Sequence, residues 1–344
     1  MIKTKKISAD QVMGYLLLFA GVALAFFIIP NGDVTTKYMM KVINEGLIYF
    51  IAVLGLSVVL GLGGQVTFST AGIMGIGAYI CAIFTIRYGW APIWALLFSM
   101  VVGGIFSYFM GLALFRLKGS YFAFASIGLT NLIFTVLQNW MEVTGGPDGI
   151  SRIPKLDIIF FQCENYYDFF KVFLIIALIC GLAVQRIRKS YLGRSLASVR
   201  DNEIAAQCLG INVYRTKVLS FVVAGVLACL AGGLYAFQSG YISPDPFKFD
   251  RSAIYLIMVM LGGVDSTAGA LIGSLLLTIL PEKMRFMQDY YMLIYGIGVI
   301  VLMVIMPMGI TGILNIFKQK LRNLVMKRKQ GEIVEIADGG EVSP

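Results

Sequence analysis

From Val12 to Met306 the chain is built mostly of apolar runs of about 17 to 25 residues, each closed by a charged or Gly/Pro-containing stretch. A helix of that length matches the hydrocarbon thickness of a bilayer, and the runs lack the ten-residue alternation of a membrane barrel. With 58% hydrophobic and 14% charged residues, the 344-residue chain has too little polar surface to cover a soluble globule. The sequence predicts an all-α, polytopic transmembrane helix bundle of about ten spans, some short or broken, with no separate soluble domain.

The expected spans can be placed from their flanks. Lys3, Lys5 and Lys6 precede a run from Val12 to Pro30, where Ala23-Leu24-Ala25 offers a cleavage-like pattern but hydrophobicity continues to Ile29. That continuity favours an uncleaved first span. Further spans are expected at Val42–Leu60, Phe68–Ile86, Pro92–Phe115, Tyr121–Met141, Phe169–Gln185 and Val218–Phe237. Ala253 to Leu280 is too long for one crossing and is interrupted at Gly262-Gly263-Val264-Asp265-Ser266, so two spans are read there, the first of them short. Tyr290–Met306 is the last. Residues 1–316 then form the membrane domain, 186–217 a polar insert within it, and 317–344 a basic, then disordered tail.

Net charge is +9, which raises the question of a nucleic-acid partner. Most of the 28 lysines and arginines instead sit beside span ends on the side assigned to the cytoplasm, the positive-inside pattern, so lipid is the expected surroundings and both termini are expected in the cytoplasm. Cys81, Cys163, Cys180, Cys208 and Cys229 show no metal-ligand spacing and read as small hydrophobes. The chain has no histidine and no G-x-x-x-x-G-K-[ST] loop. No catalytic residue, metal site or nucleotide site is expected in it.

Two glycine-rich interruptions, Gly61-Leu62-Gly63-Gly64-Gln65 and Gly262-Gly263-Val264-Asp265, each precede the same tetrapeptide, Ser69-Thr70-Ala71-Gly72 and Ser266-Thr267-Ala268-Gly269. Broken helices at membrane depth are tolerated only where protein or a water-filled cavity surrounds them. Gln65, Ser69, Thr70, Asp265, Ser266 and Thr267 are therefore candidates for lining a transport route. Asn131 and Gln138 join them, because an amide facing lipid is costly. An interhelical hydrogen bond would serve these amides equally well. Both interruptions fall on the same side in this span count, so no inverted repeat is inferred.

The insert 186–217 must lie in water. Within it Asp201 or Asn202 can cap a short helix, Glu203 suits its first turn, and Gly210 can close it after about two turns. Ala205 and Ala206 leave a face free of bulky side chains. An isolated two-turn helix is marginal in water, so something is expected to hold it.

Glu203-Ile204-Ala205-Ala206, followed by Gly210 and Ile211, resembles the "EAA" segment by which membrane subunits of ABC importers meet their ATPases. Asn44 to Tyr79, Thr144 to Ile150, Gly193 to Ala236 and Met260 to Gly273 are similar to the permeases of branched-chain amino-acid importers, most closely the LivM-type branch. That resemblance implies an importer subunit in a bacterial inner membrane. It implies a second related permease, two cytoplasmic ABC ATPases that bind ATP and Mg, and an extracytoplasmic substrate-binding protein. Arg200, Asp201, Glu203, Ala205, Ala206, Gly210 and Ile211 would meet the ATPases. A urea or other small-amide importer is the nearest alternative. A passive channel or ion-coupled carrier explains the spans but not the insert, and a membrane enzyme fits poorly with the missing histidine.

Overall fold

The computed structural model describes residues 37–117, 119–158, 161–163, 165–284 and 296. Eleven helices follow in order: α1 (Lys37–Ser57), α2 (Thr70–Arg87), α3 (Pro92–Leu114), α4 (Ser120–Asn139), the one-turn α5 (Met141–Thr144), α6 (Tyr166–Lys189), α7 (Tyr191–Asp201), α8 (Glu203–Cys208), α9 (Val213–Ser239), α10 (Phe249–Gly262) and α11 (Thr267–Met284). α1 runs on into one π-helical turn, Val58–Leu62. Two small antiparallel ribbons complete the described residues. β1 (Ile150–Ser151) pairs with β4 (Tyr241–Ile242), and β2 (Asp157–Ile158) pairs with β3 (Phe161–Gln162).

Six of these helices are long and apolar enough to cross a membrane: α1 with its π turn, α2, α3, α4, α6 and α9. The expected ten spans are therefore not all accounted for. The expected first and last spans, at 12–30 and 290–306, and the tail 317–344 lie outside the described residues. The interrupted stretch does divide in two, but α10 begins earlier than expected and has 14 residues, about 21 Å of helix, too short for a bilayer core of about 30 Å. α11 carries Pro281 inside its last turn.

α9 is the axle of the bundle. Its 27 residues would reach about 40 Å, and α1, α2 and α3 pack along it. Without a hydrophobic driving force between helices in lipid, such packing depends on close backbone approach. At the crossing with α2, a Cβ added at Gly232 would overlap the Met74 carbonyl oxygen, and one at Gly77 would overlap the backbone of Cys229. α1 is enclosed almost completely, whereas α3 shows solvent or lipid a ridge of Trp94, Leu97, Val101, Ile105 and Tyr108, one helical turn apart. That ridge is wholly apolar or aromatic, as a lipid-facing surface requires.

The stretch with Pro244 and Pro246, between the expected spans 218–237 and 253–280, enters the bundle. Its 3-10 turn Asp245–Phe247 delivers the Phe247 ring, fully buried, against Gly75, Tyr79 and Tyr235. The two prolines do prevent an α-helix there, and α10 begins only at Phe249, whose ring packs on Phe68 just before α2.

A leucine at position 232 should therefore disrupt the α2–α9 crossing at a cost of roughly 1–3 kcal/mol or more. Gly128, with nothing within 4 Å of its added Cβ, is the control. In detergent, Gly232→Leu should lose its monodisperse size-exclusion peak and melt earlier, and Gly128→Leu should do neither.

Candidate functional site

The insert is a compact three-part unit. α6 ends at Lys189, and Ser190 caps α7 by accepting a bond from the Gly193 amide at 3.5 Å. Asn202, rather than Asp201, caps α8: its Oδ1 accepts from the amides of Ile204 and Ala205, both at 3.0 Å. Gly210, at φ +78, turns the chain after α8, and the Ile211 amide returns to the Ala206 carbonyl at 3.1 Å. Asn212 then caps α9 through the Arg215 amide.

A small core holds these parts together. Ala206, 1% exposed, packs with Val199 and Val213, and Ile211 leans on the three. Lys217 on α9 pairs with Glu203 at the start of α8. The face of α8 left open carries Ile204 and Leu209, 75% and 77% exposed, with Ala205, Gln207 and Cys208 between them. The expected flat face of two alanines is thus half correct. Ala205 is outside, but Ala206 faces in, because it is the residue through which α8 is anchored.

Above the insert the two glycine interruptions come together. A Cβ at Gly61 would overlap the Val264 carbonyl oxygen, so the breaks touch backbone to backbone. Arg200, in the last turn of α7, spans them both, as Nη1 donates to the Gly61 carbonyl and lies 3.1 Å from Asp265 Oδ1. Its stem passes Gly64, where an added Cβ would stand 2.8 Å from the arginine Cγ. Arg188, near the end of α6, donates through Nη2 to Ser57 Oγ at 3.0 Å and to the Val264 carbonyl at 3.3 Å. Gln185 donates to Thr267 Oγ1 at 2.8 Å, at the start of α11.

The segment from the first break to α2 is itself tied to α4 and α10. The Phe68 amide donates to Ser126 Oγ at 2.9 Å, and Thr130 Oγ1 donates to the Phe68 carbonyl at 2.7 Å. The Ala71 amide, an unpaired donor of the first turn of α2, donates to Ser252 Oγ on α10 at 3.0 Å. On its outward side α4 exposes Gly128, Asn131, Thr135 and Gln138, spaced three and four residues apart and so on one face. Phe124, Leu132 and Val136 are exposed beside them, so unlike the ridge on α3 this outward side mixes amides and a hydroxyl with apolar residues.

The candidates read from sequence therefore separate. Ser69 and Thr70 are buried, Ser69 sharing a 2.9 Å bond with Thr67. Gln65 is half-buried and turns back to the Gly63 carbonyl at 3.4 Å. Asp265, Ser266 and Thr267 lie at the second break, where Ser266 caps α11 through the Gly269 amide. Only Asn131 and Gln138 stand on the open face. Missed from sequence were Arg188, Gln185, Ser57, Ile204 and Leu209. The two α6 residues read only as the polar end of a span, and the two apolar ones as ordinary members of a short helix.

Residues 38–316 match the family described as branched-chain amino acid transport system, permease component. The high-affinity branched-chain amino acid transport system permease protein LivM of Salmonella typhimurium is 30% identical over 320 residues, which cover 86% of this chain and 74% of the relative. LivM of Escherichia coli K12 is 30% identical over 332 residues, 88% of this chain and 76% of the relative. LivH of the same strain is 26% identical over 296 residues, 80% of this chain and 95% of the relative. No solved structure matches the chain.

An N-cap of this kind contributes about 1 kcal/mol, so Asn202→Ala should raise amide deuterium exchange in residues 203–208 about fivefold while leaving α9 unchanged. Unchanged exchange in that segment would mean that the Ala206 core alone holds α8.

Proposed function

The chain belongs to the family of permease components of branched-chain amino acid transport systems, and from that premise we propose that it is the membrane subunit of an ABC importer. Its cargo is leucine, isoleucine and valine, handed over by an extracytoplasmic binding protein. The substrate reading rests on the names borne by the LivM relatives. ATP and Mg are bound by separate cytoplasmic ATPases, in keeping with the missing nucleotide loop and histidine.

The observation that carries the mechanism is the contrast between α3 and α4. α3 turns a wholly apolar ridge outward, whereas α4 turns out Asn131, Thr135 and Gln138 among the exposed Phe124, Leu132 and Val136. Amides left in hydrocarbon cost several kcal/mol by order of magnitude, so the face of α4 meets water or a second protein. A pathway formed between this chain and a second, related permease satisfies both demands. Relatives named both LivM and LivH occur in matched transport systems, which favours a pair of unlike permeases.

The ATPases dock against α8. Ile204, Ala205 and Leu209 offer a small apolar contact, Glu203 is held by Lys217, and Gly210 supplies the turn that α8 needs to stand out from the bundle. Closure of the ATPase pair moves the insert, and the spans attached to it, α6 and α9, carry that motion into the membrane as alternating access. A binding protein for urea or another small amide, substituted in reconstituted uptake, tests the substrate: faster uptake of the amide than of leucine would overturn it.

Single cysteines on a Cys208→Ser background test the pathway. A charged, membrane-impermeant thiol reagent should label Asn131→Cys, Thr135→Cys and Gln138→Cys in the assembled importer, at rates that change with ATP. Leu97→Cys and Val101→Cys on the α3 ridge should stay unlabelled. Equal labelling of the two sets would remove α4 from the pathway.

A further inference from the structure

We infer that Arg200 and Arg188 are positioning residues that clamp the two helix breaks to the insert, so that the insert and both breaks move as one body. This rests on the reading of the insert as the element on which the ATPases act. It adds what that reading lacks, a connection from the insert to the interior of the bundle other than the covalent ends of α6 and α9.

The breaks create the need for such a clamp. The π turn at the end of α1 and the stretch after α10 leave carbonyl oxygens to which no following helical N–H donates, and at Gly61 and Val264 arginines of the insert region supply the donors. Each arginine serves two segments at once. Arg200 holds the first break by its Gly61 carbonyl and the second by the Asp265 carboxylate, and Arg188 holds the end of α1 by Ser57 and the second break by Val264. A guanidinium suits that double duty because its donors are fixed in a planar fork, which a lysine ammonium cannot imitate.

Gly61 and Gly64 fit the same arrangement. Side chains at these two positions would push the breaks apart or displace the arginine stem. Beyond the first break, the bonds of Phe68 with Ser126 and Thr130 pass the connection to α4, the helix that exposes Asn131, Thr135 and Gln138. The Arg200–Asp265 pair is 38% and 68% exposed in its side chains, and an ion pair so open to water adds little to folding stability. Its loss is therefore expected in coupling and not in the fold.

The test uses the whole importer, with both permeases, the ATPases and the binding protein, reconstituted in proteoliposomes. Arg200→Gln, Asp265→Asn and the double variant are compared by ATPase retention, ATP hydrolysis and leucine taken up per ATP. The clamp predicts that all three keep the ATPase subunits and near-normal hydrolysis, and that uptake per ATP falls about tenfold in each single variant. It predicts further that the double variant matches Arg200→Gln alone, because Asp265 acts only through Arg200. Wild-type uptake per ATP in either single variant, multiplying losses in the double, or loss of the ATPases from Arg200→Gln would overturn it. A wild-type chain that retains no ATPase subunits would instead overturn the reading of the insert itself.

Discussion

A bilayer offers no water to a backbone, so each peptide group that leaves a helix inside the membrane must find its partner in the protein. Much of this structure follows from that constraint at two places, the glycine breaks after α1 and after α10. The inner end of the first link, Thr67 to Ser69, is held because Ser126, Thr130 and Ser252 supply hydroxyls to the groups around it. The breaks themselves rest on each other, with Gly61 against Val264, and on two arginines that reach them from the insert side.

That arrangement places the insert in mechanical contact with the interior. α8 is anchored below by Ala206, Val199 and Val213 and leaves Ile204 and Leu209 open. Immediately before it, α7 carries Arg200 into the breaks, and from the first break hydroxyl contacts lead to α4 and its outward row of Asn131, Thr135 and Gln138. The proposed docking surface and the α4 face with its exposed amides are thus the two ends of one bonded path.

Much of this was legible in the chain. Span periodicity placed six crossing helices within a few residues, because twenty apolar residues between charged flanks have few other uses. The short helix of the insert was legible from its capping residues, the cap being Asn202, one of the two residues expected. Less was legible where partners are distant in sequence. Arg188 reads as an ordinary positive end of α6 and Asp265 as a candidate for the transport route, and only the fold shows that Arg188, Arg200 and Asp265 serve the same pair of breaks. Phe247 was illegible for a related reason: two prolines announce a non-α-helical stretch, but not that it dips between α2 and α9.

The claim that the insert and the breaks form one moving body is open to a direct distance measurement. Leu209 and Ala268 are both exposed, one at the tip of the insert and one just past the second break, while Val101 marks the lipid face of α3. Spin labels at 209 and 268, in a Cys208→Ser importer, should give the same distance distribution with and without ATP, while labels at 209 and 101 should give a distribution that shifts. A 209–268 distance that shifts with ATP as much as the 209–101 distance, in an importer that still transports, would contradict it.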